Sequence, residues 1–357
     1  MTRRIDVRIL TPFGAESGMG NWRTASRYAQ MLRAGGLSAS VFEPTAIADA
    51  CIESGQRTVA IVLNANRSAQ EVAAFVRADI PVMLVMTGTD IYGALRPEQQ
   101  GSTQYLQAES ALKSAALIVA LQDEASAEIR SRWPALADRV HTLMQTSPVR
   151  KPFAPQVTLQ SKTVRFLIAA HLREEKDPRT AFFAFHRAFP EGWARRWDGS
   201  RVPVRLIHVG SHRDRALAQE MLQLSGQFPG ILLEGPLTHA QTMRRMTHVH
   251  CLIQPSVSEG GALVVAEAVG CRLPVIASDI AAHRAQLGRQ DPGLFPAGDV
   301  PALASRLSEF ISREEFFTQL RSHQLAVAAT LTSPAQERDE LVRLVRRLAE
   351  FLPKESS

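Results

Sequence analysis

Pro255-Ser256-Val257-Ser258-Glu259-Gly260-Gly261-Ala262-Leu263-Val264-Val265-Ala266-Glu267 follows the apolar run His250–Gln254, and the fold turns on how this stretch is read. It reads as a strand, a loop with two adjacent glycines, and a helix. A strand with no polar alternation is covered on both faces, which marks a parallel sheet with helical crossovers. Gly260 and Gly261 are expected to open the helix, where backbone N–H groups can meet phosphate oxygens. Glu267 stands on a helix whose other residues, Ala262 to Val269, are nearly all apolar. A buried carboxylate needs partners; here they are either the two hydroxyls of a ribose or fixed groups of the protein. Glu259 lies in the loop, where it can bind sugar hydroxyls.

The same grammar runs along the whole chain. Upstream, strands are expected at Asp6–Thr11, Thr58–Leu63, Pro81–Met86, Ala116–Leu121 and Val140–Leu143. Helical patterns lie between them, such as Trp22–Ala34 with Trp22, Ala25, Ala29 and Leu32 on one face. Ser147 to Lys162 contains Pro148, Pro152 and Pro155 and reads as a linker. The alternation restarts with strands at Val164–Ala170, Val204–Val209, Ile231–Glu234, His250–Gln254 and Pro274–Ala277. Glu191–Arg201 reads as a surface excursion, and Ser333–Phe351 as a long helix with a stripe of Leu341, Leu344, Leu348 and Leu352. The expected class is α/β: two Rossmann-like doubly wound domains, residues 1–156 and 157–335, facing across a cleft. Each sheet binds ligands beyond the carboxyl ends of its strands, so the loops after strands should carry the chemistry.

Composition narrows the partners. The 357 residues include 41 basic and 35 acidic side chains, a net charge of +6. There is no long Lys/Arg run, and only three Tyr are available for stacking, so an anionic small ligand fits better than nucleic acid. Three cysteines, Cys51, Cys251 and Cys271, are too dispersed for a disulfide framework or zinc site. Arg3, Arg4, Asp6 and Arg8 interrupt any leader-like apolar segment, and no run approaches the ~20 apolar residues of a membrane span. The expectation is a cytoplasmic protein without membrane insertion.

Four loops hold candidate residues. After the first strand, Gly14 to Asn21 includes Gly18 and Gly20; it is either an anion-binding helix start or a plain turn. After the third strand come Thr87, Gly88, Thr89 and Asp90. Asp90 can orient a hydroxyl, act as a base, or cap the next helix. His171-Leu172-Arg173-Glu174-Glu175-Lys176-Asp177-Pro178 offers three potential cations between a strand and a helix. Such cations can neutralise a diphosphate leaving group; the alternative is an exposed charged turn. Arg23 and Arg67 lie on loops or helix starts and face either the cleft or solvent.

The Glu259–Glu267 pair, with seven residues between, resembles the E-x7-E motif of family-4 glycosyltransferases of the GT-B fold. Pro255-Ser256, Gly260 and Pro274 to Ser278 match the same pattern. In that family the first Glu contacts the donor sugar and the second the ribose. Lys176 matches the family's phosphate-site lysine, while His171 stands where Arg is usual and Thr87 where His often precedes Gly-Thr-Asp. A narrower resemblance spans almost the whole chain. Gly20-Asn21-Trp22-Arg23-Thr24-Ala25, Thr87 to Tyr92, His171 to Pro178 and Glu259 to Gly261 look like the selenosugar synthases of selenoneine biosynthesis. Those enzymes join selenophosphate to the anomeric carbon of a UDP-sugar, typically UDP-N-acetylglucosamine. The chain has Asn64 and Asn66 where that pattern has His and Arg, and Leu263 where it has Asn.

The resemblance implies a role for each candidate. Lys176, Arg173, Glu259 and Asp90 would carry catalysis. Gly18, Gly20, His171, Gly260, Gly261 and Glu267 would hold the donor, and Asn21, Arg23, Arg67 and Thr87 the acceptor. Protein cations would stand in for a metal, with no cofactor, and the last helix, 336–357, would pack back on the first domain. The rival functions are an ordinary family-4 enzyme with a hydroxyl acceptor, a UDP-sugar epimerase, and a non-enzymatic nucleotide-sugar sensor. The oligomeric state is left open.

Overall fold

The structure is a computed structural model describing residues 5–14, 20–44, 57–146 and 159–352. Gly18, Cys51 and the expected domain boundary at 156 lie outside the described residues. By contact the chain divides into two units: Met1–Gln145 with Thr332–Ser357, and Thr146–Leu331.

Unit 1 has six strands, β1 (Ile5–Leu10), β2 (Ser38–Phe42), β3 (Arg57–Leu63), β4 (Val82–Met86), β5 (Leu117–Ala120) and β6 (Val140–Thr142). All pair in parallel, in the order β2-β1-β3-β4-β5-β6. Helices α1 (Gly20–Ala34), α2 (Ala69–Arg77), α3 (Thr103–Ser114) and α4 (Asp123–Arg132) connect them. β4 and β5 are buried at every residue, as unbroken apolar runs between helical layers should be. The sequence gives no sign of β2, because Ser-Ala-Ser-Val-Phe occupies the sheet edge and only Ala39 is buried.

Unit 2 has β7 (Val164–Ala169), β8 (Trp193–Arg195), β9 (Arg201–Val209), β10 (Ile231–Gly235), β11 (Cys251–Gln254), β12 (Val275–Ser278) and β13 (Leu294–Phe295). The parallel order is β10-β9-β7-β11-β12-β13. The excursion after Glu191 folds as a hairpin: β8 runs antiparallel to β9, and the Arg201 guanidinium lies 3.4 Å from the Trp193 ring centroid. The helices are α5 (Pro178–Ala188), α6 (Arg215–Gln227), α7 (His239–Met246), α8 (Leu263–Gly270), α9 (Ala281–Leu287), α10 (Val300–Ser312) and α11 (Glu314–Thr330). Phe166, Phe185, Phe189 and Phe310 meet ring to ring in its core.

The chain then returns to unit 1 as α12 (Pro334–Leu348). Ser333 and Gln336 form a reciprocal cap at its start, with Pro334 in the first turn. Leu341, Leu344 and Leu348 are fully buried in the same cluster as Val7 and Tyr28. Glu337, also fully buried, accepts a 2.7 Å hydrogen bond from Arg27 Nη2 on α1. Removing one partner of such a buried ion pair strands a charge, so it ties α12 to α1.

Each sheet has one point where the strand order reverses. In unit 1 it lies between β1 and β3, and in unit 2 between β7 and β11. The loops leaving such neighbours part in opposite directions and open a crevice at their carboxyl ends. Cys251 and Cys271 are buried free thiols, and burial pushes the Cys271 thiol up to about 11. Among the described residues no helix is long and apolar enough to cross a membrane.

Candidate functional site

On one side of the β7/β11 crevice of unit 2, the loop after β7 is fastened to the loop after β9. Leu172 N–H donates to Ser211 O at 3.0 Å, drawing the loop after β7 against the loop after β9. A Cβ at Gly210 would stand 1.9 Å from Ala170 O, so this approach requires glycine. Ser211 N–H donates to His171 Nδ1 at 3.1 Å. A backbone N–H can only donate, so the neutral His171 ring carries its proton on Nε2. Farther along, Asp177 takes a left-handed conformation (φ 44°) and its carboxylate caps α5 by accepting from Thr180 N–H.

Lys176 sits at this corner with Nζ 2.6 Å from Glu259 Oε1. The same oxygen accepts from Gln254 Nε2 at 3.0 Å and Ser256 Oγ at 2.9 Å. Val257 N–H donates to Glu175 O at 2.9 Å, closing the backbone beside the ion pair. Burial would raise the Glu259 carboxyl. The Lys176 ammonium, the nearby His283 ring and the Ser256 hydroxyl outweigh burial and hold it below the ordinary carboxylate value. The two side chains remain 23% and 12% exposed, so a ligand can reach a cation already fixed in place. Arg173 does not join this pair: its Nη1 lies 3.2 Å from Glu175 Oε1, two residues away.

Gly260 and Gly261 do not open α8. They form a bend before it, and the helix starts at Leu263 after Ala262 in a left-handed conformation, φ 47° and ψ 48°. That turn interrupts the helical path the sequence suggested. Glu267 is fully buried on α8, and its Oε1 accepts from His239 Nε2 at 3.0 Å. Sequence reasoning did not single out His239, the first residue of α7, although a histidine opening a helix just after a strand was a visible signal. It also passed over Gln254 and Ser256, polar residues at the end of an apolar strand, and His283. The buried His283 Nδ1 donates to Ser278 O at 2.8 Å. Burial lowers the pKa of this ring to about 4, so it is neutral.

In unit 1 the charged groups are used differently. Asp90 is fully buried, and its carboxylate accepts from the N–H groups of Ala65, Thr87, Gly88 and Ile91 at 2.9–3.1 Å. Burial pushes its pKa up and the amides oppose that shift. Asp90, expected as a catalytic residue, thus stands among backbone donors. It gathers the loops after β3 and β4, and backbone donors occupy both oxygens. Asn64, left-handed at φ 73°, donates from Nδ2 to Thr87 Oγ1 at 2.8 Å and Thr89 Oγ1 at 3.0 Å. Gly20, Asn21 and Arg23 lie in the first turn of α1. At the β1/β3 crevice the Arg67 guanidinium lies 4.9 Å from the Phe13 ring centroid. There a pocket of about 650 Å³ is lined by Phe13, Asn66, Arg67, Gln70, Glu71 and Gln104 among others. Among the described residues, none donates a hydrogen bond to the buried oxygens Asn66 Oδ1 and Glu71 Oε2.

Residues 163–313 match the model of the family described as glycosyl transferases group 1. Glycosyltransferase 1 domain-containing protein 1 of Xenopus tropicalis is 23% identical over 227 residues, 60% of this chain and 62% of that protein. The chain thus spans less than two thirds of that relative's length. Anabaena HepE, solved in complex with UDP and glucose, aligns with a TM-score of 0.74 at 14% identity, covering 96% of this chain and 99% of its own. Sucrose-phosphate synthase from Thermosynechococcus elongatus aligns with a TM-score of 0.77 at 15% identity, covering 97% and 99%. These likenesses identify the fold as GT-B.

Proposed function

We propose, for a chain whose residues 163–313 match the model of the group 1 glycosyl transferases, that it transfers a sugar from a UDP-sugar, with unit 2 holding the donor. The observation that carries this reading is the Lys176–Glu259 ion pair at the β7/β11 crevice, with Glu267 on the helix that follows. Glu267 takes the ribose hydroxyls. Lys176 turns from Glu259 to the diphosphate as charge develops there, in place of a metal ion. His171 Nε2–H donates toward the same phosphates, and Glu259, released by Lys176, takes a sugar hydroxyl. The UDP complex of the HepE neighbour supports a uridine nucleotide.

The acceptor in this reading is a phosphoryl anion with a soft nucleophile, selenophosphate, and the donor is UDP-N-acetylglucosamine. Selenium attacks the anomeric carbon, the bond from that carbon to the diphosphate breaks, and UDP leaves. A selenolate is deprotonated at neutral pH and needs no base, which agrees with an Asp90 closed off by amides. Arg67 and Arg23 pair with its phosphoryl oxygens. A second reading, transfer to a hydroxyl acceptor, is favoured by the 650 Å³ pocket. That volume exceeds the need of an inorganic anion, and Asn66 Oδ1 and Glu71 Oε2 call for hydrogen-bond donors.

Incubation with UDP-N-acetylglucosamine and selenophosphate, thiophosphate or a polyol, followed by mass spectrometry, separates the two. Faster UDP release with a seleno- or thiosugar product supports the anion. Release accelerated only by the polyol establishes the hydroxyl acceptor, and no release with any of them overturns transfer.

A further inference from the structure

His239 bonds to Glu267, a proposed donor-site carboxylate, and no motif anticipated it. Its place is fixed from two directions. The backbone is set by the start of α7, where Thr238 and Gln241 cap each other reciprocally: Thr238 N–H donates to Gln241 Oε1 at 2.8 Å, and Gln241 N–H to Thr238 Oγ1 at 3.3 Å. Those capping groups are engaged with one another. The ring is set by Glu267, 28 positions away in the chain and 3.0 Å away in space. This bond joins the element after β10 to the element after β11, strands that β9 and β7 separate in the sheet.

Burial distinguishes its two ends. The Glu267 side chain is 0% exposed and the His239 side chain 44% exposed. The bond therefore marks where a buried carboxylate meets the surface. An ionised carboxylate only accepts, so Nε2 is the donor. A carboxylate has about four lone-pair sites, and the His239 bond engages one of those on Oε1.

We propose that His239 is a positioning residue of the nucleotide site: its Nε2–H holds Glu267 in the orientation that receives the 2′- and 3′-hydroxyls of a ribose, and it thereby sets a preference for ribo- over deoxyribonucleotides. The proposal rests on the donor reading above. His239 does not touch the reacting atoms and acts through Glu267. Without the His239 bond the carboxylate still offers charge, but Oε1 is no longer held where a vicinal diol needs it.

The test is calorimetric titration of the full chain with UDP and with 2′-deoxy-UDP, for wild type, His239→Ala and His239→Gln. Wild type is expected to bind UDP roughly 10-fold tighter than 2′-deoxy-UDP, the worth of one hydrogen bond to a charged group. In His239→Ala that ratio falls to within about 2-fold. In His239→Gln, whose amide nitrogen stands near the position of Nε2, it returns. A general loosening of the fold would weaken both nucleotides alike and leave the ratio unchanged. If wild type discriminates and His239→Ala discriminates equally, the inference is wrong and the donor reading stands. If wild type binds both equally, the ribose contact and the inference fail together, and if it binds neither, the donor reading itself fails.

Discussion

The loop after β4 in unit 1 and the loop after β11 in unit 2 both follow a fully buried parallel strand, and both carry a carboxylate that organises the turn. Asp90 accepts from four backbone amides, whereas Glu259 accepts from three side chains, those of Lys176, Gln254 and Ser256. Backbone amides cannot leave without unfolding the loop; an ammonium on a flexible stem can turn to a diphosphate. One carboxylate fixes shape and the other holds a cation ready. The neighbouring groups follow suit. In unit 1 Asn64 stitches Thr87 and Thr89 together beneath the pocket, and in unit 2 His239 reaches from the surface to Glu267.

Removing the cation is the strongest way to break the contrast. Lys176→Ala is expected to lower turnover by roughly 10²–10³-fold, the scale of one lost oxyanion donor, with a smaller change in donor affinity. Steady-state kinetics with varied UDP-sugar measure both, and equal turnover in the two proteins would leave Lys176 a surface charge. Asp90→Ala should act on stability instead. It leaves buried amides without an acceptor and costs about 3 kcal/mol, read as a lower urea midpoint. A cost below about 1 kcal/mol would mean that the amides find water, and that Asp90 does not set the loop.

Acid sharpens the contrast, because burial in unit 2 lowers the pKa of His208 and of His283, both to about 4. Their unfolded value is about 6.5, so the unfolded chain binds more protons and the stability they contribute is lost as pH falls from 6.5 toward 4. Asp291 opposes them: burial raises it to about 6, and its contribution is lost as pH rises through that value. Between pH 4 and 6 the three groups leave a net of one proton, a slope of about 1.4 kcal/mol per pH unit at most. Hydrogen exchange at pH 7 and 4.5 should show β9 and β12 losing protection before β3 and β4, and uniform loss would contradict this. The smallest effect is at Ala262, whose left-handed backbone costs a non-glycine residue roughly 1 kcal/mol. Ala262→Gly should raise the urea midpoint correspondingly, and a lowered midpoint would show that the methyl group is needed.

Much of the fold was legible, because buried parallel strands announce themselves as unbroken apolar runs. Val82–Met86 and Cys251–Gln254 fall within a residue of the expected spans. Two edge strands escaped for the converse reason: Ser38–Phe42 is half polar, and Leu294–Phe295 is two residues long. In the site, chain position identified the loops but not the pairings. Lys176 and Glu259 are 83 residues apart, and only the β7/β11 adjacency brings them together. Arg173, expected beside Lys176 at a diphosphate, has its Nη1 3.2 Å from Glu175 Oε1, two residues away. For Asp90 the pattern left a base, a hydroxyl ligand and a cap all open, and only the fold brings four backbone amides to its carboxylate.

The central claim is that unit 2 holds the nucleotide on the carboxylate of α8. Calorimetric titration of the full chain with UDP, in wild type and Glu267→Gln, tests it most directly. The substitution keeps the shape of the side chain and replaces a charged acceptor by a weaker neutral one. The expected result is saturable binding to wild type and at least a roughly 10-fold weaker affinity in the variant, with the thermal midpoint preserved. Unchanged UDP affinity in Glu267→Gln would contradict the claim.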